Sequence, residues 1–156
     1  MENFSKVSWS NEEALRIGAA ILANIRDAVI ITDLAPRILA VNPAFTEITG
    51  YTETEVLGEH PRLLRSGRHE QVFYQDMWTS LRETGQWQGE IWNRRKDGEI
   101  YPELLTISTV RNEQGEPVYY LGVATDLSQL RRDEERFQRL VHYDPLTGLP
   151  NRLLLE

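Results

Sequence analysis

Apolar positions along this chain recur at two spacings, every three to four residues or every second residue, and the changes between them mark out its elements. After an unpatterned opening, MENFSKVS, the run Ser10-Asn11-Glu12-Glu13 predicts a capping box, with the Ser10 hydroxyl accepting from the Glu13 amide and Glu13 reaching back. The helix it opens should extend to about Asn24, with Leu15, Leu22 and an Ile17–Ile21–Ile25 row as its apolar stripe. AVIITD (28–33) and ILAVN (38–42) read as two short strands folded back through LAPR. Asn42-Pro43 begins a helix that stops at Gly50, because proline at the first helical position forfeits no hydrogen bond. Thr52 to Glu55 spells a second capping box, with Tyr51 and Val56 spaced as its hydrophobic staple. HPRLLRSGRH connects onward, with room for one helical turn at 62–64.

From 70 to about 83 the helical spacing returns: Phe73, Met77 and Leu81 share a stripe that Tyr74 and Trp78 widen. Residues 87–95, 99–111 and 117–125 read as three strands joined by the KDG and NEQGE turns. Asp126-Leu127-Ser128-Gln129 opens a last helix, in which Leu130, Phe137 and Val141, with Glu134 between them, trace a short coiled-coil seam. Strands and helices are segregated rather than alternating, so the predicted class is α+β with a mostly antiparallel sheet covered by helices on one face.

The period-two pattern isolates one residue. In WQGEIWNRRKDG, Trp87, Gly89, Ile91 and Asn93 share a face that reads as interior, and it ends in an amide with two donors and two acceptor lone pairs. An idle buried amide costs about 1–3 kcal/mol. Either Asn93 caps the RRKDG turn or a neighbouring carbonyl, or it faces a pocket and binds the polar edge of a planar ligand. The residue pattern alone leaves the two readings even.

Composition narrows the functions. Hydrophobic residues make up 40% and charged residues 26%, as in a soluble globular domain, and the net charge of −7 argues against a nucleic-acid or anionic-membrane surface. No apolar run is long enough to span a bilayer and no signal peptide opens the chain, so the expected setting is cytoplasmic. With no cysteine there is no disulfide, thiolate metal site or cysteine photoadduct. His60 and His69, the candidates for a haem ligand, fall in an Arg-rich connection and are expected at the surface; three scattered histidines give no metal spacing. Arg62, Arg65, Arg68 and His69 form a local basic patch, read either as a solvated loop or as a seat for a pyrophosphate. The carboxylate runs at Glu12-Glu13 and 133–135 read as exposed helix faces. No nucleophile with a base, metal cluster or phosphate loop is visible, so the chain is not expected to be an enzyme in its own right.

DAVIITD, ILAVNPAFTEITGYTETEVLG and RRKDGEIYPELLTISTVRNEQGEPVYYLGVATDLS, in that order, resemble a PAS domain. The resemblance implies a five-stranded antiparallel sheet in the order 2-1-5-4-3, helices over a small-molecule pocket, and flanking helices that dimerise and pass on a signal. The implied organisation is a flanking helix at 1–20, the PAS domain at 21–127, a linker or signalling helix at 128–143 and the start of a second domain at 144–156. HYDPLTGLPNRLLLE is similar to the opening of a GGDEF domain, the module that makes cyclic di-GMP, cut before its metal-binding and catalytic residues. The chain is therefore expected to be part of a longer signalling protein with a GGDEF output in cis; Glu13-Ala14-Leu15, which spells the signature of the opposing phosphodiesterase, is read as coincidence. The stretch from LRSGRHE to KDGEIY resembles FAD-binding redox-sensing PAS domains of nitrogen-fixation and methane-oxidation regulators. That resemblance implies FAD as cofactor, with Trp87 and Asn93 beside the flavin ring and Trp78 and Ile91 in the same lining. The expected function is a sensory and dimerisation module, a homodimer built on Ile17, Ile21, Leu130, Phe137 and Val141, with Asp126 coupling the pocket to the last helix. The alternative is a ligand-free PAS scaffold for dimerisation and signal relay.

Overall fold

The computed structural model describes residues 8–142. The element order is α1 (Asn11–Asn24), β1 (Ala28–Thr32), β2 (Ile38–Val41), α2 (Pro43–Thr49), α3 (Glu53–Val56), a 3₁₀ turn (Pro61–Leu64), α4 (Gln71–Thr84), β3 (Gln86–Arg94), β4 (Ile100–Arg111), β5 (Pro117–Asp126) and α5 (Ser128–His142). The sheet is five-stranded and antiparallel throughout, in the order β2-β1-β5-β4-β3, as the sequence implied.

Local chemistry accounts for most element ends. Asn42 is the N-cap of α2, and its buried amide does more than cap. Its Oδ1 accepts from the amides of Phe45 (3.0 Å) and Val29 (2.8 Å), while Nδ2 donates to the Asp27 carbonyl (2.9 Å). One side chain thus ties α2 to β1 and to the end of the segment entering it. Helix α2 ends at Gly50 with φ +81°, a left-handed conformation suited to glycine. The Lys96 amide then donates to the Thr49 carbonyl (2.8 Å), seating the β3–β4 turn on that helix end. The Thr52–Glu55 capping box forms in both directions, whereas at Ser10 only the Glu13 amide bond (3.1 Å) forms and the return bond does not.

The buried core lies between the inner sheet face and helices α2 to α4. One cluster joins Ala28, Ile38, Phe45, Val56, Leu64 and Ala124; a second joins Tyr74, Met77, Leu81 and Ile91. Helix α1 buries no residue: Leu15 (75% exposed), Ile21 and Leu22 remain open to solvent, and Ala19, Leu22 and Ala23 border a groove against Val29 and Ile31 on the outer sheet face. Helix α5 likewise leaves Leu130, Phe137 (65% exposed) and Leu140 exposed, with Val141 half-buried. Among the described residues no helix is long and apolar enough to cross a membrane. The GGDEF-like segment at 144–156 lies outside the described residues.

Candidate functional site

The inner sheet face and the helices over it line a partly open cavity of about 100 Å³. Its floor is alternate residues of four strands: Ile30 and Thr32 from β1, Gly122 and Tyr120 from β5, Glu103, Leu105 and Ile107 from β4, and Ile91 and Asn93 from β3. Period-two alternation brings these side chains to one face. Tyr74, Met77 and Trp78 of α4 roof it, and His60, Arg62, Leu64 and Arg65 of the 3₁₀ turn and its flanks supply the remaining wall.

Asn93 is 6% exposed and points into this cavity rather than capping the turn. Its Nδ2 donates to Glu103 Oε1 across the β3–β4 pair (2.6 Å). The turn is closed without it, by the Arg95 amide to the Glu99 carbonyl (2.8 Å) and the Glu99 amide to Asp97 Oδ1 (2.9 Å). Glu103 is 4% exposed, and its other oxygen accepts from the Tyr101 hydroxyl (3.3 Å). Burial, helped by the nearby Asp126 charge and opposed by these hydrogen bonds and Arg95, pushes the Glu103 carboxyl up to about 7. Glu103 is not among the residues anticipated at the site, although the sequence carries a signal for it. In IYPELLTIS the same alternation puts Glu103 in register with Tyr101, Leu105 and Ile107, a carboxylate on an apolar face.

Of the aromatic residues anticipated at the site, Trp78 lines the cavity, and Trp87 packs beside it against the Tyr74, Met77, Leu81 and Ile91 cluster. The Trp87 ring packs against Gly89, so close that a Cβ built there would meet Trp87 Cζ2 at 2.8 Å, and it meets Phe73 in a T-shaped contact (centroids 5.8 Å). Ile91 also lines the cavity. Tyr74 is an addition: 8% exposed, its hydroxyl has no protein partner among the described residues, and burial raises its pKa.

The histidines are not the surface residues the sequence predicted; both are half-buried. His60 Nδ1 accepts from the Arg62 amide (2.9 Å), and its ring meets Trp78 edge-on. His69 Nε2 accepts from the Trp92 amide of β3 (2.8 Å), and its ring stacks on Phe73 (4.0 Å). Burial first, then neighbouring arginines, lowers both pKa values, so each imidazole stays neutral as its acceptor role requires. The arginine patch is divided by aromatic faces: Arg65 lies over Tyr74 (3.7 Å) and Arg68 over Trp92 (4.3 Å), and among the described residues neither they nor Arg62 have a carboxylate partner. Arg62 and Arg65 border the cavity and Arg68 does not.

From the buried end a continuous set of contacts reaches the last helix. Glu103 and Asp126 are partners across β4 and β5. Arg95 lies over the Tyr101 ring (3.9 Å), pairs with Asp126 (3.0 Å) and Glu99 (2.5 Å), and donates to the Ile48 carbonyl (2.7 Å) and the Ser128 hydroxyl (3.2 Å). Asp126 Oδ1 accepts from the Ser128 amide (2.8 Å) where α5 begins, and Arg131 of α5 pairs with Glu90.

A PAS domain family model matches residues 26–129. Nitrogen fixation regulatory proteins of Klebsiella oxytoca and Klebsiella pneumoniae are 37% and 36% identical over 111 residues, covering 71% of this chain and 22% of each relative. The chain therefore spans about a fifth of the length of these curated relatives. Among solved structures, that of an RNA-binding light-oxygen-voltage receptor superposes with a TM-score of 0.75 at 22% identity, covering 86% of this chain and 38% of that one, a likeness of fold.

Proposed function

The chain belongs to the PAS domain family, and we propose that it is a sensory and dimerisation module whose cavity binds a small planar molecule, FAD being the candidate, to regulate an attached cyclic-di-GMP enzyme. One observation carries the reading. A buried amide and a buried carboxyl sit side by side in the lining of a largely apolar cavity, and their network runs on to the start of α5. Buried polar groups left facing a cavity are the usual means of fixing a ligand's orientation.

The lining suits a flavin ring in chemistry. Trp78 and Tyr120 supply aromatic rings (centroids 5.7 Å apart), and among the described residues Asn93 Oδ1 has no donor and the Tyr74 hydroxyl has no partner. When bound, a flavin would supply a redox centre whose protonation follows its oxidation state. The cavity volume, about 100 Å³, falls below the roughly 300–1,000 Å³ of typical ligand pockets. Admission of the ring therefore requires the unbranched Met77 and the neighbouring Trp78 to move off the floor. Kinship with nitrogen fixation regulatory proteins supports a regulatory role, and the GGDEF-like wording of 142–156 supports the output. Control through α5 follows from helix pairs having discrete packings that a small bias can select between.

Absorbance of the purified protein in the near-ultraviolet and blue, before and after incubation with FAD, tests the ligand. A colourless protein that gains no band ends the flavin reading. The small cavity and the exposed apolar residues of α1 and α5 favour the second reading, a ligand-free dimerising scaffold, which predicts that result together with a concentration-dependent dimer in sedimentation.

A further inference from the structure

We propose that Glu103 is a ligand-binding residue that acts as a neutral carboxylic acid, donating its proton to an acceptor atom of the bound molecule, so that binding and proton uptake are one event. The inference deepens the reading above and rests on the cavity being a ligand site.

The groups around Glu103 are few and accounted for. From β3, Asn93 spends Nδ2 on Oε1; from β4, Tyr101 offers its hydroxyl to Oε2; from β5, Asp126 is a like charge. Arg95, in the β3–β4 turn, is paired with Glu99 and Asp126 and makes no ion pair with Glu103. Across the cavity stand His60, held neutral, the Tyr74 hydroxyl, and Arg62 and Arg65, both largely exposed. An ionised Glu103 would therefore be a desolvated carboxylate with no counter-ion at bonding distance, beside another carboxylate.

Its protonation state decides what the cavity recognises. With Glu103 ionised, its two oxygens are acceptors only, beside the acceptor Asn93 Oδ1. With Glu103 neutral, a donor O–H stands beside the acceptor Oδ1. That pair complements a carbonyl next to a ring N–H, the edge of a cyclic amide or imide such as a pyrimidine, pteridine or flavin. Burial pushes the Glu103 carboxyl up to about 7, so the proton is available at neutral pH.

Riboflavin tests this best, because its uncharged tail leaves Arg62 and Arg65 out of the pH dependence. Its binding to the whole chain would be followed by fluorescence quenching across neutral and mildly alkaline pH. The expected result is an affinity that falls about tenfold per pH unit above the Glu103 midpoint. Glu103→Gln, a permanently neutral donor and acceptor, should bind with no slope, and His60→Gln should retain the slope. A flat profile in the natural protein, or a slope that survives in Glu103→Gln, overturns the inference and leaves the flavin reading standing. If riboflavin does not bind at any pH, the flavin reading fails separately. The inference is then judged on the protein alone, by the carboxyl carbon resonance that Glu103→Gln removes. A midpoint near neutrality upholds Glu103 as the proton carrier of the cavity, and titration in the ordinary carboxylate range overturns it.

Discussion

Replacing Glu103 by glutamine in the ligand-free protein should change how stability varies with pH, and the size of the change follows from the site. The carboxyl moves from 4.5 to about 7 on folding, and at about 1.4 kcal/mol per unit this amounts to roughly 3 kcal/mol. The sign follows from proton counting. Between those two values the folded protein holds a proton that the unfolded chain has released, so stability falls as pH rises. The contribution is complete below the unfolded value, drains away through about 7, and is flat above it. Glutamine cannot titrate, keeps an acceptor for Asn93 Nδ2 and occupies the same volume. Relative to the natural protein, the variant should therefore gain roughly 3 kcal/mol between about pH 5 and about pH 8, while every other titrating group cancels in the difference. Urea unfolding at a series of pH values measures this, with equal denaturant slopes as the check that both proteins unfold alike. A stability difference that is constant across the range would refute the reasoning, because Glu103 would then be no more protonated in the fold than out of it.

Asn42→Ala removes three well-formed bonds and orphans the buried Val29 amide, so unfolding should become easier by about 2–4 kcal/mol; a loss under about 0.5 kcal/mol would mean that the α2–β1 tie is redundant. Gly89→Ala drives a methyl group into the Trp87 ring and should cost about 1–3 kcal/mol, with a changed near-ultraviolet dichroism that an undisturbed indole would not give. Leu130→Asp with Phe137→Asp should shift a sedimentation dimer toward monomer without altering unfolding of the core, since both residues are exposed within one protomer; an unmoved equilibrium would place the seam on other residues.

The fold was legible because its determinants are local. The Thr52–Glu55 box, the Asn42-Pro43 start and the alternation in β3 each lie within a few residues of what they specify. Strand alternation also gave the facing of Asn93, though not its partner, since Glu103 lies on the adjacent strand and register is a long-range property. Trp87 shows the same limit: parity gives its face, but not the packing of its ring against Gly89 and Phe73. His69 looked exposed because its surroundings in sequence are polar. Its acceptor role depends on the Trp92 amide, 23 residues away, and on the Phe73 ring that shields it.

Arg95 acts as a fixed post at the corner where β5 gives way to α5, and the groups that hold it, the Ile48 carbonyl and the Glu99 and Asp126 carboxylates, belong to the body of the domain. Among the described residues of the helix it hydrogen-bonds only the hydroxyl of Ser128, at the first position. Apart from the Arg131–Glu90 pair and the phase in which the helix leaves, the corner makes almost no demand on what is spliced downstream. Each residue inserted after Ser128 would swing a grafted partner by about 100° around the axis. Fusions made at this joint should accordingly work or fail with the periodicity of a helical turn, whatever cargo they carry.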